Sequence, residues 1–456
     1  MHPPDKWSSR SFVAPLLVWA IGIVYGSLVP FDFHPHPLAA AWHNVLQARW
    51  LVLDMWGRAD WIANLLIFIP LSFLMTALWG RPRTSAATRV MASVCVLAAC
   101  AVFAVTIEFI QVFFPPRTVS LNDIVAETLG AGLGVALWWT AGDKLSVLVA
   151  QARGSGRSAR NAILACYVLA YLVLSLFPYD FLVSRAEFAA KIASDEYGLL
   201  FAPRACGSVF RCVVKSLAEV LAVTPFGVGL RLIWAGSHRH EMLRAGIAGA
   251  ALGLLIEAAQ FLTASGITQG LSVVTRAAGF CLGYYAFRFL QTGSAAVIRP
   301  WLRPLVVCAA PPYLIALALV NGVHPGRWMG WSDALARLGE VHFLPFYYYY
   351  FTTETRAMVS LLGVIGLYAP IGVAAGLWTS GRDAVRPPRR WLVACAGGVI
   401  CAAIEFLKLL DPARHPDVTD VLIAAVAAVL GLAAFRLLTS SFEEGESPPS
   451  RHPTGV

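Results

Sequence analysis

The chain has 456 residues, of which 58% are hydrophobic and 13% charged, with a mean hydropathy of +0.66. A soluble domain carries about 25% charged residues, so this composition excludes an ordinary soluble protein and predicts a polytopic membrane protein. The formal charge of +9 sits largely in short loops, where Lys and Arg set membrane orientation, and no interleaving of basic and aromatic residues points to nucleic acid.

Apolar runs long enough to cross about 30 Å recur along the whole chain. They predict about twelve helices, at 11–30, 60–79, 90–114, 120–141, 161–180, 211–234, 243–264, 270–290, 303–322, 357–379, 391–410 and 418–438. The first run follows MHPPDKWSSR and is too long for a signal sequence, with no A-x-A-like cleavage site, so it reads as an uncleaved span.

The order of motifs repeats. SLVPFDF (Ser27 to Phe33) returns as SLFPYDF (Ser175 to Phe181), with a weak trace near Pro325. Next come spans with an internal proline, Pro70, Pro225 and Pro370. Glu108-x-x-Gln111 is then echoed by Glu257-x-x-Gln260 and Glu405-x-x-Lys408. Nine residues after each Glu stand Arg117, Gly266 and Arg414; fifteen after stand Asp123, Ser272 and Asp420; twenty-six after stand Gly134, Gly283 and Gly431. Matched offsets in one order, three times over, predict tandem units of four helices, 1–150, 151–300 and 301–440, followed by a disordered polar tail at 441–456.

Four helices per unit give all three units the same orientation. The short loops near 80–89, 141–160, 235–244, 291–302 and 380–390 are basic, whereas the long links at 31–59, 181–210 and 323–356 hold fewer cations per residue. The positive-inside rule then predicts cytoplasmic termini and Glu…Asp hairpins that open outward. The links carry Trp42, Trp50, Trp56 and Trp61 and the aromatic run Phe343 to Phe351, which suits the headgroup level or a platform for lipid or a partner. Nine cysteines include no CxxC pair; Cys206 and Cys212 share an outward link, where a disulfide is expected.

The candidate site is the hairpin EFIQVFFPPRTVSLND. Glu108 and Gln111 lie on one face at the end of a helix, and Ser120-x-x-Asp123 opens the next one in a capping arrangement. Arg117 in the link is placed to clamp Glu108 or Asp123, or to meet a carboxylate or phosphate ligand. The third unit keeps Glu405, Arg414, Asp417 and Asp420. Two readings remain open: a structural set of caps and ion pairs, or an outward-facing polar pocket. No metal, cofactor or nucleophilic triad is predicted. Gly130-x-x-x-Gly134, Gly279-x-x-x-Gly283 and Ala427-x-x-x-Gly431 are small-residue faces for close helix packing.

Together, Asp60-Trp-Ile-Ala-Asn64-Leu-Leu-Ile-Phe-Ile-Pro70, Glu108-x-x-Gln111, Arg117-x-x-Ser120-x-x-Asp123 and Gly130-x-x-x-Gly134 resemble the VanZ-like family, named for an accessory protein of glycopeptide-antibiotic resistance. The likeness is best over 11–141, partial in the third unit and weakest in the second; Glu127 stands where the family pattern has Asn. It implies an all-α protein of the bacterial cytoplasmic membrane, with membrane lipids or lipid-linked cell-wall intermediates as partners. The expected function is binding of an anionic or amphipathic envelope molecule. The alternatives are an enzyme on envelope lipids, with Glu108 and Asp123 as acid and base and Arg117 as anion clamp, and a transporter.

Overall fold

The structure, a computed structural model, describes residues 9–50, 52–79, 84–154, 156–205, 209–234, 240–291, 299–323, 326, 328–380 and 388–443. Among the described residues it is all-α apart from a two-residue parallel pairing, β1 (Tyr197–Gly198) with β2 (Thr268–Gln269), and an isolated antiparallel bridge between Phe181 and Thr263. The first third contains α1 (Val13–Leu28), short α2 (Leu38–Leu46), α3 (Met55–Trp79), α4 (Ala86–Gln111) and α5 (Leu121–Arg153). The middle contains α6 (Gly156–Ser175), short α7 (Arg185–Ile192), α8 (Val209–Ile233), α9 (Glu241–Phe261) and α10 (Gly270–Gln291). The last third contains α11 (Leu302–Val320), short α12 (Trp331–Ala336) and α13 (Tyr347–Tyr350), then α14 (Glu354–Ser380), α15 (Arg390–Lys408) and α16 (Val418–Glu443).

Among the described residues, ten helices are long and apolar enough to cross a membrane. The two other expected spans fall on α1, which has 16 residues, and on α10, whose Ser272, Thr275, Arg276 and Arg288 lower its apolarity. Length and apolarity alone therefore give ten spans where the sequence predicts twelve. At 33 residues, α5 rises about 50 Å and overruns the hydrocarbon layer at its Arg153 end.

The same packing recurs in each third. Helix α5 packs on α3 and α4, α10 on α8 and α9, and α16 on α14 and α15. Water drives none of this inside a bilayer, where lipid tails are as apolar as leucine, so close backbone approach has to hold the helices together. The small residues provide it. Gly130 lies on the Leu65 carbonyl and Gly134 on that of Ile69; Gly279 and Gly283 lie on the Val220 and Thr224 carbonyls, and Gly431 on that of Ala369. Leu65 and Val220 each stand five residues before the helix proline, and Ile69, Thr224 and Ala369 one before it. Leu129 and Leu133, on the far side of α5, stay exposed to the lipid. Each proline helix continues through its proline.

The links meet. Arg58, in the first turns of α3, pairs with Glu187 of α7 at 2.9 Å, and Tyr25 of α1 donates to the Pro345 carbonyl at 2.7 Å. Trp42 of α2 sets its ring edge against Phe109 at 5.8 Å, and Trp331 of α12 lies 6.1 Å from Phe406. The links thus lie folded over the ends of the Glu-bearing helices. Of the two link cysteines, Cys212 is disulfide-bonded, while Cys206 lies outside the described residues, as does the tail from 444 onward.

Candidate functional site

Glu108 sits in the last turn of α4 and is 2% exposed. Its Oε2 accepts the Ser120 N–H at 3.0 Å, and the Ser120 hydroxyl in turn accepts the Asn122 N–H at 3.1 Å. The carboxylate therefore caps the amino end of α5, where free N–H groups and the helix dipole favour negative charge. The same bond recurs twice. Glu257 Oε2 accepts the Gln269 N–H at 2.7 Å, and Glu405 Oε2 accepts the Asp417 N–H at 2.9 Å, each across twelve residues. Asp417 caps α16 in the manner of Ser120, accepting the Thr419 N–H at 2.8 Å.

Gln111 is turned to the end of α1. Its amide donates to the Ser27 carbonyl at 3.1 Å, and Gln260 donates to the Ser175 carbonyl at 2.8 Å. Arg117 also differs from expectation. Among the described residues it forms no ion pair with Glu108 or Asp123 within 4 Å; its guanidinium donates to Gly26 O at 2.7 Å and to Val29 O from both Nε and Nη2, at 3.1 and 3.0 Å. The link brings Arg117 to the end of α1, whose last carbonyls lack helical partners and attract a cation. Its other face lies over the Tyr350 ring at 4.2 Å. Burial pushes its pKa below the ordinary arginine range, against the pull of Tyr350, Asp60, Glu108 and Asp123. In the last third, Arg414 lies against Gly322, just after α11, at a backbone φ of +80° that a side chain rarely adopts.

Charge balance separates the three sites. In the first, Asp60, Glu108 and Asp123 lie within electrostatic reach of one another and of Arg117, and Glu127 within reach of Glu108 and Asp123. Asp60 is exposed and Asp123 half-buried, with the Asn64 amide in hydrogen-bonding reach of Asp123. Glu127 is 4% exposed, and its Oε2 has no hydrogen-bond partner among the described residues.

The second site is closed by its own cation. Arg276 stands nineteen residues after Glu257, the position of Glu127 in the first site, and pairs with Glu257 at 2.6 Å while its Nε donates to the Tyr171 hydroxyl. Ser272 replaces Asp123, and its hydroxyl donates at 3.1 Å to Glu219, which occupies the place of Asn64, six residues before the helix proline. The acid and its polar partner have exchanged helices. In the link, buried Lys191 donates to the Ala264 and Gly266 carbonyls, close to where the sequence offers Gly266 in place of an arginine. The third site is closed by Lys408, 2.6 Å from Glu405 and 3.8 Å from Asp420, which also meets the Tyr349 hydroxyl.

Sequence reasoning put Glu108, Ser120 and Asp123 together, and the structure does the same. It assigned Gln111 and Arg117 to a pocket, whereas both hold the end of α1. Asp60 and Asn64 figured only in the resemblance, Glu127 only as a departure from it, and Arg276 not at all. An arginine inside an apolar helix is a signal that was there to be read. No group of three or more His, Cys, Asp or Glu among the described residues is arranged to hold a metal ion.

Fold and site together define a polytopic all-α membrane protein with polar hairpins at the ends of its helices. Residues 8–142 match the family model VanZ/LLP1, so this segment, the first third of the chain, is similar to the VanZ-like family. No curated protein and no solved structure matched the chain.

Proposed function

We propose that this is a multi-pass envelope protein of the bacterial cytoplasmic membrane, made of three tandem VanZ-like units at 1–150, 151–300 and 301–440 with both termini cytoplasmic. Its first unit binds the polar head of an amphipathic envelope molecule. The carrying observation is the charge balance. The helix carboxylates Glu257 and Glu405 of the second and third units are paired with Arg276 and Lys408, whereas Glu127 of the first keeps a buried oxygen without a partner among the described residues, as Asp180 Oδ1 and Asp411 Oδ2 do in the links. An uncompensated buried carboxylate is costly and is retained where something else satisfies it. An apolar groove of about 370 Å³ along α1, lined by Ala20, Ile21, Val24, Tyr25 and Phe31, suits the molecule's acyl chain. An anionic head is disfavoured, because it would meet four carboxyl groups and an arginine already committed to backbone carbonyls.

Catalysis finds less support, since Glu108 is tied to the Ser120 N–H. Transport finds less support too, since Glu108 and Asp123 lie in the terminal turns of their helices. The test is the lipid and cell-wall composition of a deletion strain complemented with variants made at normal membrane levels. Asp123→Asn and Glu127→Gln are expected to leave the defect in place, and Asp420→Asn to correct it. Full correction by both first-unit variants would refute the reading.

A further inference from the structure

The three hairpins share one backbone bond, Glu to N–H across twelve residues, and differ in what satisfies the second carboxylate oxygen. In the second unit Glu257 Oε1 takes a guanidinium nitrogen at 2.6 Å; in the third Glu405 Oε1 takes an ammonium nitrogen at 2.6 Å. These cations reach the same carboxylate from different places. Arg276 reaches it from the following helix, at the position of Glu127, and Lys408 from the carboxylate's own helix, at the position of Gln111. Two independent solutions to one site both supply a nitrogen cation. Among the described residues the first unit supplies none there. It has Gln111, turned away to Ser27, and Glu127, which adds a buried carboxylate with an oxygen unpartnered among the described residues.

We infer that the first unit takes an organic ammonium group, the cationic head of an amphiphile, which seats between Glu108 and Glu127 as Arg276 seats against Glu257 and Lys408 against Glu405. Asp123 and Asp60 lead to it from the exposed side, Asp60 at the surface and Asp123 half-buried. Glu127 and Asp123 stand four apart on α5, on one face, so a cation moving inward passes from one to the other. Arg117 does not obstruct it, because its three bonds hold it to the end of α1. The inference rests on the first unit being the binding unit and adds the charge class of the ligand.

The test uses the whole protein purified in a neutral maltoside detergent, with octylammonium, octyl phosphate and octanol as probes, read by thermal unfolding and titration calorimetry. Octylammonium is expected to give a saturable rise in Tm and a titration of one site per chain, and the other two probes neither. Glu127→Gln, which keeps the side-chain size, is expected to weaken octylammonium at least tenfold. Glu127→Arg, which reproduces the arrangement of the second unit, is expected to abolish its effect and to raise the Tm of the protein without probe. If Glu127→Arg fails to fold, the Gln variant and the probe comparison decide alone. Equal response to octanol, or octylammonium binding unchanged in Glu127→Gln, overturns the inference. Saturable, Glu127-dependent binding of octyl phosphate overturns the cation class while leaving the first unit as the binding unit. No binding of any probe overturns the inference and leaves a proton as the neutralising cation; failure of the complementation test would instead remove the binding unit itself.

Discussion

At the scale of single residues, the sequence and the structure part over Arg117. Its spacing from Glu108 suggests an ion pair, but the link delivers it to the end of α1, where carbonyls of Gly26 and Val29 need donors. Hydrogen bonds from a charged donor contribute about 1.5–3 kcal/mol each, and removing the donor leaves the carbonyls unmet. Arg117→Ala is therefore expected to lower folded protein in the membrane and reduce its Tm, before any effect on binding; fractionated abundance and thermal unfolding check it. Normal stability with lost function would return Arg117 to the ligand. What was legible at this scale was the chain-local chemistry: Ser120 as a cap, Asp123 in the first turn and Glu108 near both. Arg276 was missed because the second unit was judged at the offset of Arg117, where it has Gly266. Its cation had moved to the next helix, and only spatial proximity connects it to Glu257.

At the scale of elements, the repeated glycines and the helix prolines form one device. Gly134 and Gly283 sit on carbonyls one residue before Pro70 and Pro225, where any added side chain meets backbone. Gly134→Leu is expected to cost about 1–3 kcal/mol by overpacking, and Gly132→Leu, with open space beside it, close to nothing; unfolding in detergent compares the two. The small-residue spacing was readable in the sequence, but its partner helix was not, because a one-dimensional pattern does not name the surface it packs on. The links make a second contact between elements, Arg58 with Glu187. The Val183 N–H, and after it Arg58, hold Glu187 below its ordinary pKa of about 4.5. A depressed carboxylate contributes stability that is complete above the unfolded value and lost as pH falls through the folded one. The Tm difference between wild type and Glu187→Gln is thus expected at pH 7 and should shrink as pH drops below about 4.5, its ordinary value. A difference that persists in acid would mean that the contact is not an ion pair.

At the scale of the whole molecule, three hairpins that share one Glu to N–H bond balance their charge differently. The topology we propose places all three on one side of the membrane. Single cysteines at Thr118 and Arg414, in an otherwise cysteine-free background that retains membrane insertion, are expected to react with a membrane-impermeant thiol reagent on intact spheroplasts. One at Ser155 should react only after permeabilisation; the reverse pattern would invert the protein. The central claim, that the first unit alone holds a ligand because the other two hold their own cations, is tested most directly by what the protein carries out of the membrane. Mass spectrometry of molecules retained after gentle purification is predicted to find an amphiphile with wild type and with Asp420→Asn, and to lose it with Glu127→Arg at equal protein. Retention of the same molecule by Glu127→Arg would contradict the account.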